Sequence, residues 1–461
     1  MTTSDYRPDP ALLELGEPFY DVVRAADFPQ TALRFRNDRA AAEVGLARLD
    51  DAAWLAHFGR FEPLPGNLPQ PVAMRYHGHQ FRIYNPDLGD GRGFSFAQMR
   101  RSDGALLELG TKGSGQTPWS RFGDGRLTLK GGVREVLASE MLEALGVRTS
   151  RSVSLIETGE ALERNDEPSP TRSAVLVRMS LGHIRIGNFQ RLAYHGDAES
   201  MARLVDYCLR EMYGVDPGAE PAVRFFELAA GRIAALAAQY MVAGFVHGVL
   251  NTDNINVMGE SFDYGPWRFA PTCDPGFTAA YFDHAGLYAF ARQPEAILWN
   301  VAQLAVSLRR LCDAPPLIER LEAFEARFRA GYAAPLKRRL GLTGGDTDAA
   351  WRLKDAIDDA LIATRQPIDR FFFDSFGGVL PAGYGPEWDK VRDTLAAFTP
   401  APQGRSHAYF SDAEPCSMLI DEVEAIWSAI ASDDDWGPFH AKVAAIRRMR
   451  EALDAGGAGK C

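Results

Sequence analysis

A short polar loop near the middle of the chain most constrains what this sequence can fold into. Residues 247–254 read His-Gly-Val-Leu-Asn-Thr-Asp-Asn, and an Asp-Tyr-Gly turn begins at Asp263, after Asn254. An amide oxygen and a carboxylate in two successive turns can hold a divalent cation beside phosphate groups. The simpler interpretation is that His247 packs in a core loop and that the Asn and Asp residues only form turns.

The spacing matches the catalytic loop of phosphotransferases with one part replaced. In loops of the form H-R-D-x-x-x-x-N, a base aspartate stands two residues after the histidine and a metal-binding asparagine seven residues after it. Asn254 occupies the second of these positions, but Val249 occupies the first. Asp253 is the only other carboxylate in the loop. The metal-binding end of such a loop is therefore present, and the usual base is missing.

A glycine-rich stretch lies upstream, where a phosphate-binding loop would be. It contains Gly89, Gly91 and Arg92. Glycines let backbone N–H groups approach phosphate closely, and an arginine at the rim adds a cation. The sequence Gly-Asp-Gly-Arg recurs at residues 123–126. Because Asp-Gly is a common hairpin turn, coincidence is one explanation of the repeat, and a second nucleotide-facing loop is the other.

Charged residues follow in the order found in kinases. Lys112 ends an apolar strand-like run, in the place of the lysine that contacts nucleotide phosphates. Glu135, near the start of the next predicted helix, is its expected partner, and Glu140 is the competitor. Arg178 directly follows an apolar run, and Arg185 lies shortly after it, which makes both candidates for binding phosphate.

The order of predicted elements indicates an α+β fold with two kinase-like lobes. Residues 1–70 are expected to form an extension packed on the core. Residues 71–182 alternate short β-like runs with glycine turns around one strong helix at about 133–145, which predicts the N-lobe. Residues 183–461 are expected to form a large helical C-lobe, in which a long helix over 221–245 leads into the His247 loop.

Composition excludes several classes of protein. A hydrophobic content of 46% is sufficient for sizeable cores, and a net charge of −11 argues against broad binding to nucleic acid or anionic membrane. No apolar run approaches the roughly 20 residues needed to cross a bilayer, and no signal segment is recognisable at the start, so we expect a cytoplasmic protein. A monomer is a separate expectation, which these features do not test. The 5 cysteines show no C-x-x-C spacing, which indicates neither a zinc site nor a disulfide framework.

Together these segments resemble the selenoprotein O family of protein adenylyltransferases, which have a pseudokinase fold. The segments that carry the resemblance are residues 77–81, 84–93, 112–113, 120–126, 134–140, 247–254 and 262–266. The resemblance implies transfer of AMP from ATP to hydroxyl side chains of protein substrates, and the choice between ATP and UTP stays open. Two alternatives remain open: a kinase-like phosphotransferase and a non-catalytic nucleotide-binding scaffold.

The resemblance also implies a role for each matching residue. Asp253 would be the general base, and Asn254 with Asp263 would hold Mg²⁺ or Mn²⁺. Lys112, paired with Glu135, would contact the nucleotide together with Gly89, Gly91, Arg92, Asp124, Gly125, Arg178, Arg185 and Asp263. Attack at the α-phosphorus expels pyrophosphate, whose charge requires several cations and a metal.

The sequence departs from the family pattern in two places. Arg82 stands where the family commonly has glycine. The family often carries a near-terminal cysteine or selenocysteine that can pair with a cysteine after the Asp-x-Gly turn. Cys461 fits the first position, but Cys273 lies short of the expected second position, near Ala279. A disulfide between Cys273 and Cys461 is therefore a hypothesis, and an inert C-terminal thiol is the alternative.

Overall fold

A large antiparallel sheet occupies the first part of the chain in a computed structural model, which describes residues 5–165, 167–402 and 404–456. Eight strands form this sheet, in the order β1-β3-β6-β7-β10-β9-β2, with β8 paired to β10. The strands are β1 Tyr20–Val22, β2 Ala32–Arg36, β3 Val72–Met74, β4 Gly78–Gln80, β5 Ile83–Asn85, β6 Gly93–Arg100, β7 Leu106–Lys112, β8 Leu127–Thr128, β9 Arg151–Leu162, β10 Thr171–Ser180, β11 Phe245–Val246, β12 Arg268–Phe269, β13 Leu342–Gly344 and β14 Phe398–Pro400.

The first α-helices lie between strands of the sheet, and α-helices dominate the chain after it. They are α1 Asp38–Ala42, α2 Asp51–Phe58, α3 Leu129–Ala144, α4 Ile186–His195, α5 Ala198–Tyr207, α6 Pro221–Ala243, α7 Gln293–Leu308, α8 Ala314–Glu322, α9 Phe324–Leu340, α10 Thr347–Thr364, α11 Ile368–Asp374, α12 Asp389–Leu395, α13 Ile420–Asp433 and α14 Gly437–Gly456. None of the helices in the described ranges is long and apolar enough to cross a membrane. A mixed α+β fold is thereby confirmed.

The first 70 residues supply both ends of the large sheet. Strand β1 pairs with β3 at one end, and β2 pairs with β9 at the other, where Ala32 lies opposite Glu157. The predicted extension therefore contributes strands to the same sheet as β6, β7, β9 and β10. Edge strands of this kind are short and their pairing is non-local, so no sequence period identifies them.

Register in the centre of the sheet brings two cations to one face. Lys112 at the end of β7 lies opposite Gly93 of β6 and Leu176 of β10, and Arg178 lies opposite Gly110. Residues two apart on a strand point to the same face, and so do residues directly opposite each other. The side chains of Lys112 and Arg178 therefore project from the same face of the sheet.

Helix α3 lies against that sheet and positions Glu135. It packs on β9 and β10, and α14 packs on its other side. Thr128 caps its start, because the side-chain oxygen of Thr128 accepts a hydrogen bond from the N–H of Gly131 at 3.1 Å. Nearly all of α3 is buried, including Glu135 and Glu140. The predicted helix at 133–145 is confirmed, with an earlier start.

Helix α6 delivers the polar loop from the helical part of the chain. Its sequence is predominantly apolar, and most of its residues are buried. Gly244 ends the helix with a φ of +68°, and its N–H donates to the backbone oxygens of Tyr240 and Met241 in the last turn. Strand β11 follows at once and pairs with β12, so His247 begins the loop on a fixed backbone. The predicted helix leading into this loop is confirmed.

Candidate active site

A cleft of about 790 Å³ lies where the sheet meets the loops after α6. It is lined by residues from the sheet, from the stretch before β6, from the loop between β7 and β8, and from the loops around Asp253 and Asp263. The predicted site residues in its lining are Gly89, Gly91, Arg92, Lys112, Asp124, Gly125, Arg178, Asp253, Asn254 and Asp263. The structure thus brings together residues that are up to 174 positions apart in the chain, from Gly89 to Asp263.

Two predicted site residues lie behind this lining. Glu135 forms an ion pair with Lys112, whose Nζ also lies 3.7 Å from Asp263 Oδ1. Glu140 points elsewhere and binds Asn37 and Arg447. Of the two acids that the sequence left open, Glu135 is therefore the partner of Lys112. Because the ammonium group is held by a buried carboxylate, Lys112 keeps one position at the cleft wall.

Arg185 is the second residue behind the lining, with a relative exposure of 1%. Its guanidinium donates hydrogen bonds to Asp263 Oδ2 at 2.9 Å, to the backbone oxygen of Asp253 at 2.9 Å and to Asp90 Oδ1 at 3.1 Å. It also lies over the ring of Tyr76. These contacts neutralise the charge of Arg185 within the protein. Arg185 therefore holds the loops of the site together.

Asp263 is surrounded by positive charge. Arg178 binds Oδ1, Arg185 binds Oδ2, and Lys112 stands nearby. Burial alone would raise the pKa of Asp263, but the three cations outweigh it and hold the pKa well below its usual value. Asp263 has a φ of +55°, in the left-handed region that residues other than glycine seldom adopt. Its carboxylate is therefore ionised and fixed in direction.

Asp253 lies in the cleft with one oxygen atom unused. Its Oδ1 is buried and has no hydrogen-bond partner among the residues described. Gly78 lies so close that a Cβ atom there would be 2.9 Å from this oxygen. Burial raises the pKa of Asp253 to about 6, although the charge of Arg185 lowers it in part. A buried carboxylate oxygen without a donor is free to accept a proton.

The hairpin of β4 and β5 fixes the loop that carries Asp253. The N–H of His79 donates to Thr252 Oγ1 at 2.7 Å, and the N–H of Phe81 donates to Asn251 Oδ1 at 3.0 Å. Thr252 in turn donates to Gln190 Oε1 of α4 at 2.6 Å. The two residues directly before Asp253 are thus bound by the hairpin and by α4, which restricts the movement of the Asp253 carboxylate.

His247 has a structural role in the same loop. It is fully buried, and its Nε2 lies 3.0 Å from the backbone oxygen of Phe262, next to Asp263. Its N–H donates to Gln293 Oε1 at 3.1 Å. The packing interpretation of this histidine is therefore correct, whereas Asn254 and Asp263 line the cleft. His247 connects the two turns that present them.

Asn254 and Asp263 together fit a hard divalent cation. Asn254 donates its Nδ2 to the backbone oxygen of Val249 at 3.0 Å, which turns its carbonyl oxygen away from that contact. The Asp263 oxygens keep further lone pairs beside their arginine partners. No group of three or more His, Cys, Asp or Glu side chains in the described ranges could hold a metal. Mg²⁺ is often bound by one or two protein oxygens with substrate phosphates and water, which suits this pair.

Both copies of the Gly-Asp-Gly-Arg sequence line the cleft. Thr117 Oγ1 donates to the backbone oxygen of Asp90 at 2.6 Å, which ties the second loop to the first. Gly89 packs under the ring of Trp119, since a Cβ atom there would be 2.3 Å from it. Asp124 is held by Arg164 at 2.8 Å. Of the two explanations for the repeat, the one with two loops facing the same cleft agrees with the structure.

Comparison with known proteins places the chain in a family. Residues 2–376 match the sequence model of a family described as protein adenylyltransferase SelO. The chain is 42% identical over 464 residues to a protein nucleotidyltransferase YdiU from Synechocystis sp., covering 94% of this chain and 96% of that protein. It is 44% identical over 469 residues to the YdiU of Synechococcus elongatus, covering 94% of this chain and 93% of that one.

The chain belongs to the SelO family. The resemblance stated from sequence motifs is confirmed, and the chain is an enzyme of the nucleotidyltransferase class.

The departure from the SelO pattern at Arg82 has a structural correlate. Arg82 has a φ of +65°, a conformation that glycine adopts without steric cost and that costs other residues roughly 1–2 kcal/mol. Its guanidinium lies 5.5 Å from the centre of the Trp299 ring and 3.4 Å from Glu295. These contacts offset part of the backbone cost.

The proposed disulfide of this SelO chain lies partly outside the described residues, because Cys461 is beyond residue 456. Cys273 is a free, half-buried cysteine. Burial raises its pKa to about 12, which disfavours the thiolate. The pairing with Cys461 stays a hypothesis.

Sequence reasoning missed several residues that build this SelO site. Asp90 binds Arg185, Gly78 makes room for Asp253, and Arg121 lines the cleft. Asp90 stands inside the recognised Gly-Asp-Gly-Arg sequence, so the repeat of that sequence was an available signal. Gly78 and Arg121 lie inside segments 77–81 and 120–126, which carry the family resemblance, so these segments were the available signal. The closeness of Gly78 to Asp253 could not be predicted, because the two residues are distant in sequence.

Proposed function

We propose that this SelO-family chain is a protein adenylyltransferase with a kinase-like bilobal fold. In this proposal residues 71–182 form the N-lobe, 183–461 the C-lobe, and 1–70 an extension that completes the N-lobe sheet. Support comes from the large sheet with one long helix, α3, packed on it, and from the cleft between the sheet and the helical part. The buried pair of Lys112 and Glu135 has the position of the lysine and glutamate pair in kinases.

The contrast between Val249 and Asp253 carries the proposal. Val249 lines the cleft at the loop position where a kinase has its base aspartate, and its side chain accepts no proton. Asp253 lines the same cleft with a buried carboxylate oxygen that lacks a hydrogen-bond donor. A base displaced from the kinase position favours attack at a different phosphorus atom of the nucleotide.

The proposed reaction is an in-line displacement at the α-phosphorus of ATP. The oxygen of a serine, threonine or tyrosine hydroxyl in the acceptor protein forms a bond to the α-phosphorus. The bond from that phosphorus to the bridging oxygen of the β-phosphate breaks, and pyrophosphate leaves with the electron pair. The hydroxyl proton passes to the carboxylate of Asp253. The products are an adenylylated protein and pyrophosphate.

The cleft supplies positive charge for the leaving group. Lys112 and Arg178 project from one face of the sheet, and Arg92 lines the same cleft directly before Gly93, the residue opposite Lys112 in the sheet. Fixed cations of this kind stabilise developing charge without reorganisation. Asn254 and Asp263 would hold Mg²⁺ or Mn²⁺, which when bound neutralises phosphate charge. Arg185 and Glu135 act from behind the lining by holding Asp263, Asp90 and Lys112.

Mapping of modified peptides tests this proposal. The purified chain is incubated with ATP, a divalent cation and the soluble proteins of a bacterial lysate, and modified peptides are identified by mass spectrometry. We expect adenylyl groups on serine, threonine or tyrosine in the wild-type reaction and none with Asp253→Asn. Phosphoryl groups in place of adenylyl groups would favour a kinase, and ATP binding without any modification would favour a scaffold. A parallel reaction with UTP determines the nucleotide preference.

A further inference from the structure

Asn251 lies in the polar loop shortly before Asp253, and it has no role in the site described so far. Its relative exposure is 4%, and it lines the cleft. The N–H of Asn254 donates to the backbone oxygen of Asn251 at 3.0 Å, which closes one short turn around Asp253. Asn251, Asp253 and Asn254 therefore belong to a single turn, and all three line the same cleft.

Two hydrogen bonds fix the orientation of the Asn251 amide. The N–H of Phe81 donates to Asn251 Oδ1 at 3.0 Å, and the hydroxyl of Tyr288 donates to the same oxygen at 2.8 Å. A backbone N–H can only donate, so the amide atom that faces Phe81 must be the oxygen. The amide nitrogen of Asn251 therefore points away from both donors.

Both donors are themselves held in place by buried contacts. The ring centres of Phe81 and Tyr288 lie 5.1 Å apart. Tyr288 is buried, and its N–H donates to Asp283 Oδ2 at 2.8 Å, while the N–H of Leu287 donates to Asp283 Oδ1 at the same distance. The orientation of the Asn251 amide is therefore built into the protein and does not depend on a bound nucleotide.

The amide nitrogen of Asn251 is left without a partner. Among residues 5–165, 167–402 and 404–456, no acceptor forms a hydrogen bond with Asn251 Nδ2. This nitrogen is nevertheless not sealed off by the protein, so it meets the space of the cleft. Polar groups in side chains this deeply buried are as a rule hydrogen-bonded. The unused N–H groups of Asn251 therefore point to a ligand with an acceptor atom.

The two asparagines of the turn present opposite ends of their amides to the cleft. Asn254 donates its Nδ2 to the backbone oxygen of Val249 at 3.0 Å and keeps its oxygen. Asn251 uses its oxygen within the protein and keeps its nitrogen. An amide oxygen can hold a hard cation, whereas an amide NH₂ group only donates hydrogen bonds. Asn251 therefore does not extend the metal site, and it suits an anionic oxygen of the nucleotide.

We propose that Asn251 is a further catalytic residue, whose amide nitrogen donates a hydrogen bond to a non-bridging oxygen of the α-phosphoryl group. This inference rests on the proposed adenylyl transfer. In that step the acceptor oxygen bonds to the α-phosphorus, its proton passes to Asp253, and pyrophosphate leaves with the electron pair of the broken bond. Because Asn251 and Asp253 share one turn, Asn251 faces the phosphoryl group next to the base. Asn251 keeps its protons and stabilises negative charge on the phosphoryl oxygen.

Sulfur substitution in the nucleotide tests this contact. ATP with sulfur in place of one non-bridging α-oxygen exists as two diastereomers, and sulfur is a weak hydrogen-bond acceptor. Each diastereomer, labelled in the sulfur, is incubated with the wild-type chain, Mg²⁺ and the soluble proteins of a bacterial lysate. The rate at which label enters protein is measured for each, and the ratio of the two rates is the diastereomer preference.

Two variants and one control are compared with the wild type. Asn251→Asp keeps an oxygen for Phe81 and Tyr288 and lacks the N–H groups, and Asn251→Ala lacks both. Asn300→Ala is the matched control. Asn300 is equally buried and donates to the backbone oxygen of Leu250 at 2.7 Å, so it supports the same loop, but it does not line the cleft.

We expect the wild type to transfer one diastereomer about 10-fold faster than the other or more, as loss of a hydrogen bond to a charged group predicts. Both Asn251 variants should lower the maximal rate with ATP by about 100-fold or more, change the KM for ATP by less than about 3-fold, and reduce the diastereomer preference to about 3-fold or less. Asn300→Ala should lower the melting temperature and keep the wild-type preference.

Three results would overturn the inference: equal transfer of the two diastereomers by the wild type, the wild-type preference in both Asn251 variants, or the same loss of preference in Asn300→Ala. The first result requires only the wild-type chain, so the inference stays testable if a variant does not fold. Failure of the proposed function looks different, because the wild type would then transfer no label from either diastereomer or from α-labelled ATP.

Discussion

Arg185 Nη1 lies 2.9 Å from Asp263 Oδ2 and donates at the same distance to the backbone oxygen of Asp253. One buried nitrogen thus connects the residue proposed as base with the residue proposed to hold metal. A side chain that does not line the cleft therefore connects the turn of Asp253 with the turn of Asp263.

Arg185→Ala should destabilise the protein by about 3–5 kcal/mol, because it removes a buried guanidinium and leaves the largely buried carboxylates of Asp263 and Asp90 without this partner. Urea unfolding followed by circular dichroism measures the change. The control is Lys390→Ala, which removes an exposed ion pair with Asp359 and should cost no more than about 1 kcal/mol. Equal stabilities for the two variants would contradict the buried network described for Arg185.

Glu135→Gln should weaken the binding of a non-hydrolysable ATP analogue by about 10-fold, because Lys112 loses the charge that positions it. Titration calorimetry measures the affinity. Glu140→Gln is the control, since Glu140 is an equally buried acid on the same helix. Its carboxylate binds Asn37 and Arg447 and does not contact Lys112. This variant should lower the melting temperature and leave the affinity unchanged. An equal loss of affinity in both variants would refute the specific role of Glu135.

Asp253→Asn should reduce the transfer rate by about 10²–10⁴-fold, the range typical of a lost general base. Nucleotide affinity should stay within a few fold of the wild type, because the free oxygen of Asp253 accepts no hydrogen bond that the substitution would remove. Stability should not fall, since burial disfavours the charged form that asparagine replaces. A variant with near-normal transfer would show that Asp253 is not the base.

Asn254→Ala should raise the Mg²⁺ concentration for half-maximal activity by about 10-fold, because one of two protein oxygens for the metal is lost. Titration of the reaction with MgCl₂ at saturating ATP measures this. Asp263→Asn is a poorer probe, because it also removes the carboxylate that binds both Arg178 and Arg185. An unchanged Mg²⁺ requirement in Asn254→Ala would remove Asn254 from the metal site.

The parts of the fold that repeat locally could be predicted from the sequence. Helix α6 has a long apolar sequence that ends at Gly244, β7 ends in Lys112, and β10 contains the apolar run 174–177 directly before Arg178. The pairing of β2 with β9 could not be predicted, because Ala32 and Glu157 meet across more than a hundred residues.

The candidate site could be predicted where local spacing identifies its residues, and not where it depends on contacts between residues that are distant in sequence. The spacing of the polar loop and the order of the charged residues identified Lys112, Asn254 and Asp263, which lie together in the cleft lining. The choice between Glu135 and Glu140 required the structure: they are five residues apart, which separates them by roughly 140° around an α-helix, and both are buried. The position of Arg185 behind Asp263 depends on tertiary contacts that no local pattern encodes.

Parallel labelling with ATP tests the central claim most directly. The wild-type chain is incubated with Mg²⁺ and the soluble proteins of a bacterial lysate, in one reaction with ATP labelled in the α-phosphate and in another with ATP labelled in the γ-phosphate. Transfer of AMP predicts labelled protein from the α-label only, with the γ-label recovered in pyrophosphate. Labelled protein from the γ-label only would contradict adenylyl transfer and identify a phosphotransferase.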